Sequence, residues 1–190
     1  MSSIKATFYK PMTKLLHQLK ADHQNLLTAL DLMDRELYKL RDGEENVNSR
    51  ELIKQVLDYI LQYPAESHFP KEEYLFRLMQ NVDASLKAQI EHFHSDHNSL
   101  DHVLENLCKL VASSEQDYVQ MINETEHFIH DFKDHIFKEE SEFFPIAEQM
   151  FSDEEWREID KRYEQFLDPI FGEEAAQNQH YAMLRKALGL

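Results

Sequence analysis

Cysteine, glycine, proline and basic side chains are all scarce in this 190-residue sequence, and each shortage narrows the class of protein. The single cysteine, Cys108, cannot form an internal disulfide, which fits a reducing compartment. Three glycines and five prolines favour helices joined by short connections over strands and turns. We therefore expect an all-α protein and, at this length, a single domain.

Basic residues are outnumbered by acidic ones, 20 to 36, which gives a formal net charge of −16. Such a chain repels phosphate backbones, and no stripe of lysine and arginine reverses the charge locally, so we expect no nucleic-acid partner. The N-terminus lacks the apolar segment of a signal peptide, and no run nears the roughly 18 apolar residues of a membrane span. We expect a cytoplasmic protein with no membrane partner.

Apolar residues that recur at alternating steps of three and four predict four long helices. These cover residues 12–41, 48–79, 83–111 and 113–145, the last opening with a capping box at 113–116 and ending at Pro145. Short connections make consecutive helices antiparallel, so an up-down-up-down four-helix bundle is predicted over residues 1–150. Pro64 and Pro70 interrupt the second helix, so we expect a bend near His68.

Residues 151–190 are predicted to form a C-terminal helical extension of the same domain. A capping box from Ser152 to Glu155 starts a short helix, and "EEAAQNQHYAMLRKAL" is typical of a second one. The extension either packs outside the bundle or contributes a dimer contact. The protein is accordingly expected to be a monomer or a homodimer.

The bundle carries an internal duplication, with halves at about 12–79 and 83–146. "ADHQNLL" matches "SDHNSL", and "HFPKEEYLF" matches "HIFKEESEFF". Each half therefore supplies one histidine in an apolar seam and one His-x-x-x-Glu pair. These residues are His23, His68 and Glu72 in the first half, and His97, His135 and Glu139 in the second.

This pattern predicts a buried metal centre. Residues four apart stack on one helix face, so each pair directs an imidazole and a carboxylate into the same space. Counting about 1.5 Å per residue from the connecting loops places the four histidines at similar depth. Two buried carboxylates require a counter-charge, which cations totalling about +4 would supply.

The donor set also indicates the kind of metal. Imidazole with carboxylate suits iron, zinc or manganese, and six ligands exceed what one tetrahedral zinc uses. Two octahedral ions fit better, each with two histidines and both bridged by Glu72 and Glu139. An oxo or hydroxo bridge would add a fifth ligand to each ion and leave a position open for a small diatomic molecule.

The remaining histidines mostly fall off the seams and are expected on the solvated surface. They are His17, His92, His94, His102, His127, His130 and His180. His94 lies three residues before His97 and stays open as a candidate for a fifth imidazole. Glu73 and Glu140 are expected beside the ligands rather than among them.

The order His, His-x-x-x-Glu, His, His-x-x-x-Glu on four helices resembles the bacterial HHE cation-binding branch of the hemerythrin family. The resemblance covers most of residues 12–146, and "DEEWREIDKRYEQFLDPIFG" is similar to the extension of many stand-alone bacterial members. It implies a hemerythrin-like bundle with a non-haem centre of two iron ions that binds dioxygen. The implied iron ligands are His23, His68, His97 and His135, with Glu72 and Glu139 as bridging carboxylates.

Two positions depart from the family pattern. Phe93 stands where oxygen-carrying hemerythrins have a fifth histidine, and Phe69 replaces the second histidine of the frequent His-His-Pro-Lys-Glu. Four histidines leave both ions open, which favours redox turnover or nitric oxide binding over reversible oxygen carriage.

Several functions stay open at this point. The first is a module that binds or senses dioxygen or nitric oxide, and the alternative is a di-iron peroxidase or oxidase, or a stress protein that delivers iron to damaged clusters. A ferritin-like oxidase needs two Glu-x-x-His motifs that face the bundle interior, and the pair with this spacing at Glu124 and His127 is not centred on the apolar seam. A metal-free helical interaction protein conflicts with the polar residues in the seams.

Overall fold

The computed structural model describes residues 13–43, 47–112 and 118–167. Within these ranges all regular structure is helical, and there is no strand. The helices are α1 (Lys14–Arg41), α2 (Val47–Tyr63), α3 (Phe69–Val82), α4 (Lys87–Ala112), α5 (Tyr118–Lys138), α6 (Phe144–Met150) and α7 (Asp153–Arg162). The predicted start at residue 12, the capping box at 113–116 and the helix predicted after residue 172 lie outside the described residues.

The predicted up-down-up-down bundle is confirmed. Its four arms are α1, α2 with α3, α4, and α5 with α6. α1 and α4 each pack against both α2 and α5, so α1 and α4 occupy opposite corners of the bundle. In the part of the chain that the structure describes, no helix is long and apolar enough to cross a bilayer.

Each arm buries its apolar seam in two separate clusters. In α1, Leu19 belongs to one cluster and Leu26 to the other, and His23 lies between them. In α4, Phe93 and Leu104 flank His97 in the same way. The polar positions of the seams therefore form one layer between two apolar cores.

Both proline-containing arms contain a π-helical turn beside this layer. The first spans Pro64–His68, and the second spans Glu139–Phe143. In each case the amide after the turn bonds five residues back, from Phe69 to Pro64 and from Phe144 to Glu139. Each π-turn ends two residues before a proline, which lacks the N–H that the α-helical pattern needs.

The π-turns explain two differences from the sequence prediction. The irregularity expected near His68 is a π-turn within an otherwise continuous helical arm. The prediction that the fourth helix ends at Pro145 is wrong, because Pro145 lies in the first turn of α6, which continues to Met150. Proline is tolerated there because the first amides of a helix need no internal partner.

The start of the C-terminal extension packs on the outside of the bundle near the beginning of α1. The predicted capping box between Ser152 and Glu155 is confirmed. The Asp160 carboxylate accepts hydrogen bonds from the backbone amides of Lys14, at 2.9 Å, and Leu15, at 3.1 Å. α7 thereby satisfies two free amides of α1 and adds negative charge where the helix dipole favours it.

Candidate metal centre

The six predicted ligand side chains meet in the polar layer between the two apolar cores. They are His23 on α1, His68 at the end of the first π-turn, Glu72 on α3, His97 on α4, His135 on α5 and Glu139 at the start of the second π-turn. All six are buried, and even the most accessible, His97, is only 8% exposed.

The first half of the layer holds two imidazole nitrogens at a distance suited to one ion. His23 Nε2 lies 3.1 Å from His68 Nε2. Two nitrogen ligands at right angles, each about 2.1 Å from one ion, stand roughly 3.0 Å apart. Glu72 Oε1 lies 3.0 Å from His68 Nε2, and Glu139 Oε2 lies 3.3 Å from His23 Nε2.

The second half has the same composition. Glu139 Oε1 lies 3.2 Å from His135 Nε2 and 3.5 Å from His97 Nε2. Glu72 Oε2 lies 3.4 Å from His97 Nε2. Each glutamate thus offers one oxygen to each pair of histidines, so both carboxylates span the two halves.

Unpartnered atoms test whether this donor set fits a cation. Both oxygens of Glu72, both oxygens of Glu139 and Nε2 of His97 are buried without a hydrogen bond. Native proteins rarely leave buried polar atoms unpaired, because each one loses its interaction with water. Unpaired oxygens that face imidazole nitrogens across a shared space are what a metal ion would coordinate, so the cluster could hold metal.

The electrostatics of the layer also favour positive charge. Burial lowers the pKa of His23, but Glu139, Glu140 and Glu72 raise it well above its ordinary value. Burial also lowers the pKa values of His68 and His97, and the neighbouring carboxylates raise both overall. The field that holds protons on these imidazoles would equally stabilise a bound cation.

The pKa values of the two glutamates are shifted in the opposite direction, downward. Burial raises the pKa of Glu139, but His135, His23 and His97 bring it well below its ordinary value. Burial and the charge of Glu139 raise the pKa of Glu72, yet His68 and His23 lower it overall. Both carboxylates are therefore ionised and available as ligands at neutral pH.

A buried ion-pair network lies behind His68. Asp22 Oδ2 accepts from Lys71 Nζ at 2.5 Å and lies 3.4 Å from His68 Nδ1, while Tyr63 donates its hydroxyl to Asp22 Oδ1 at 2.7 Å. Asp22 and Lys71 are completely buried. A proton on His68 Nδ1 shared with Asp22 leaves Nε2 free to face the cluster.

His23 is oriented by different groups. Its Nδ1 lies 3.0 Å from Glu140 Oε1, and its ring stacks on Phe144 at 5.5 Å with an interplanar angle of 6°. Glu140 thus lies beside the ligand set, as the sequence predicts. His97 is instead covered by Phe69, whose ring centroid lies 4.2 Å away.

The network behind His135 is looser than the one behind His68. Asp96 stands where Asp22 stands in the first repeat, but its Oδ2 is 3.9 Å from His135 Nδ1, and its side chain is 27% exposed. Lys138, the counterpart of Lys71, pairs with Asp134 at 2.7 Å near the surface. His135 Nδ1 is buried without a hydrogen bond.

Other histidines lie outside the cluster. His94 is bound to Glu73 through Nε2 at 2.9 Å and is partly exposed, so the structure does not place it among the six. Phe93 is buried against His135, at 6.0 Å between ring centroids. The expected surface positions are confirmed for the described residues His17, His92, His102, His127 and His130.

The sequence interpretation missed Asp22, Lys71 and Tyr63 as partners of the site. One signal was present, because an aspartate precedes the seam histidine in both "ADHQNLL" and "SDHNSL". Burial of a lysine had no such signal, since lysine is almost always exposed unless it is paired.

A four-helix bundle with buried imidazoles from all four arms and buried glutamates from two of them defines the class, a helical-bundle protein with an internal cluster that could hold cations. The sequence profile of the Hemerythrin HHE cation binding domain matches residues 14–147, well over half of the chain. The protein belongs to this family. No curated protein matched the chain.

Proposed function

We propose that this protein is a non-haem di-iron protein that binds or senses dioxygen or another small diatomic molecule such as nitric oxide. The supporting observation is the division of the carboxylate oxygens. Glu72 and Glu139 each present one oxygen to His23 and His68 and the other oxygen to the opposite pair. Bridging carboxylates between two histidine pairs suit two ions better than one.

In this proposal His23 and His68 would hold one iron, His97 and His135 would hold the other, and Glu72 and Glu139 would be shared between them. Such a pair would supply open coordination positions and electrons to a small ligand. Each iron would have four protein ligands, fewer than an octahedral ion accepts.

The chain's own residues would orient the ligands and exclude water. Asp22 and Glu140 sit behind the Nδ1 atoms of His68 and His23, which keeps each Nε2 turned to the cluster. Phe144 and Phe69 cover the faces of His23 and His97, and Phe93 covers His135. A small uncharged diatomic molecule enters such an aromatic pocket more readily than a charged substrate does.

Metal quantification and an optical spectrum test the proposal. Protein reconstituted anaerobically with Fe²⁺ should bind two irons per chain and develop a reversible ligand-to-iron absorption band with dioxygen or nitric oxide. Glu72→Ala and Glu139→Ala should lose iron, and Glu142→Ala, an exposed glutamate of the same π-turn as Glu139, should retain it. Two irons held equally well by the Glu72→Ala and Glu139→Ala variants would contradict the assignment.

The alternative is a di-iron redox enzyme or an iron-handling stress protein, of the peroxidase, oxidase or nitrosative-stress repair type. A cavity of about 220 Å³ next to His135 supports it, because this space admits molecules larger than a diatomic. Peroxide turnover that falls in Glu72→Ala would favour the enzyme. Irreversible oxidation of the iron by dioxygen, with no reversible band, would count against the binding or sensing role.

A further inference from the structure

The cavity beside His135 is a cleft between α4 and α5, and we call it the α4/α5 cleft. The cleft is lined on α4 by Asp96, Ser99, Leu100 and Val103, and on α5 by Phe128, Asp131, Asp134, His135 and Lys138. Its volume is about 220 Å³. The six waters around a hydrated divalent ion need roughly 180 Å³ at about 30 Å³ each, so the cleft is large enough for one.

The charge of the α4/α5 cleft is negative. Three carboxylates, from Asp96, Asp131 and Asp134, line it with one ammonium group, that of Lys138. Lys138 is already paired with Asp134 at 2.7 Å, which leaves Asp96 and Asp131 as the net charge. A cleft of one sign, with apolar walls, concentrates oppositely charged ions and repels anions.

A buried and unpartnered group lies at the inner side of the α4/α5 cleft. His135 lines the cleft, is 3% exposed, and has an Nδ1 atom without a hydrogen bond. Its other nitrogen, Nε2, lies 3.2 Å from Glu139 Oε1 in the buried cluster of histidines and glutamates. A single imidazole ring therefore separates the cleft from the cluster.

The corresponding region of the first half contains a buried ion pair. Lys71 and Asp22, the counterparts of Lys138 and Asp96, are completely buried and bonded to each other behind His68. The pair of Lys71 and Asp22 has no net charge, so it offers an approaching cation no attraction. The α4/α5 cleft is thus the approach with the favourable charge.

We propose that the α4/α5 cleft is the uptake path by which hydrated divalent cations, Fe²⁺ in particular, reach the cluster. Asp131 and Asp134 attract the ion at the surface, Asp96 receives it beside His135, and the ion passes to the second pair of histidines. The cleft guides ions and does not store them. This inference rests on the proposed function, since it requires a metal centre to load.

Stopped-flow absorbance measures the rate at which metal-free protein takes up Co²⁺, and this rate tests the proposed path. The double variant Asp131→Asn with Asp134→Asn should take up Co²⁺ about tenfold more slowly at low salt, with the same final stoichiometry, because steering by charge changes association rates. The difference should shrink above about 0.5 M salt, where the screening length falls to a few ångströms. The matched control, Asp58→Asn with Glu91→Gln, removes the same charge from two ion pairs outside the cleft and should load normally.

A charge inserted into the cleft gives a second test. Val103 is 41% exposed on the wall of the cleft, so Val103→Lys should fold normally and slow uptake by at least the same factor. Val82→Lys adds the same charge at an exposed valine of α3 and should not slow it. Circular dichroism and the final Co²⁺ content show that each variant is folded and complete.

Three results would separate the possible failures. Wild-type protein that binds neither Co²⁺ nor Fe²⁺ would overturn the proposed function and this inference with it. Wild-type protein that loads fully, at the same rate as the cleft variants, would overturn the uptake path alone. A lower final Co²⁺ content in Asp131→Asn with Asp134→Asn would make these residues ligands, which also contradicts a guiding role.

Discussion

The two halves of the buried histidine and glutamate cluster contain the same kinds of candidate ligand, but the groups behind those candidate ligands differ. In the first half, Asp22 and Lys71 are completely buried and support His68. In the second half, Asp96 is partly exposed, and Lys138 points to the surface to pair with Asp134. The two repeats thus share their candidate ligands, but a buried ion pair lies behind His68, whereas a cleft lies beside His135.

The largest expected effect is a loss of stability when Asp22 is replaced, and the equivalent substitution of Asp96 is the comparison. Asp22→Ala leaves Lys71 as an unpaired buried charge, so we expect the free energy of unfolding of metal-free protein to fall by about 3–5 kcal/mol. Asp96→Ala removes a partly exposed carboxylate and should cost under about 1 kcal/mol. Denaturant titration followed by circular dichroism measures both.

A double variant sharpens this first comparison. Replacing the buried pair with apolar groups, Asp22→Ala with Lys71→Met, should recover part of the stability lost in Asp22→Ala alone, because no buried charge is left unpaired. Equal losses in Asp22→Ala and Asp96→Ala would show that the two supports are equivalent.

The next largest effect is a loss of metal affinity, and it distinguishes two glutamates at equivalent positions of the repeats. Glu140 lies 3.0 Å from His23 Nδ1, whereas Glu73 bonds His94, outside the cluster. Glu140→Gln should therefore weaken metal binding by about 10- to 100-fold, the usual range for a group that orients a ligand. Chelator competition measures this affinity, and Glu73→Gln is the matched control. If Glu73→Gln weakens binding as much, the halves do not differ here.

A smaller effect is expected at Tyr63. Its hydroxyl donates to Asp22 at 2.7 Å, whereas the equivalent repeat position, His130, is on the surface. Tyr63→Phe should lower the free energy of unfolding by about 1.5 kcal/mol, the lower end of the range for a hydrogen bond to a charged group. This corresponds to a fall of about 3–6 °C in Tm for a chain of this size. His130→Ala should leave Tm unchanged, and an equal fall would contradict the asymmetry.

The smallest effect on stability is expected at Glu36, which lies outside both halves of the cluster. Burial raises the pKa of Glu36, but Lys39 and Ser49, which donate hydrogen bonds to its carboxylate, lower it overall. A lowered folded-state pKa means that the carboxylate stabilises the fold above the unfolded value of about 4.3. That contribution is lost as pH falls through the folded pKa.

Glu36→Gln should therefore cost under about 1 kcal/mol at pH 7, because its lysine partner is half exposed. The difference from wild type should narrow below about pH 4, and urea titrations across this pH range measure it. A constant difference at all pH values would show that the charge of Glu36 contributes nothing.

Much of the fold and of the candidate site could be predicted from local patterns. The helical seams, the end of α1 before Gly43 and the capping box at Ser152 all depend on residues within one or two turns of each other. His68 with Glu72, and His135 with Glu139, share a face for the same reason. The π-turns were not predicted, because the insertion of one residue into a helical turn has no distinctive spacing in the sequence.

The sequence by itself determined an all-α bundle with four seams, two His-x-x-x-Glu pairs and two solitary seam histidines. These follow from the helical period, which acts over three or four residues and is readable along one chain. Only the tertiary structure decided that Lys71 turns inward to Asp22 while Lys138 turns outward to Asp134. That choice depends on which side chains the neighbouring helices bring within reach, so the same motif residues have different surroundings in the two repeats.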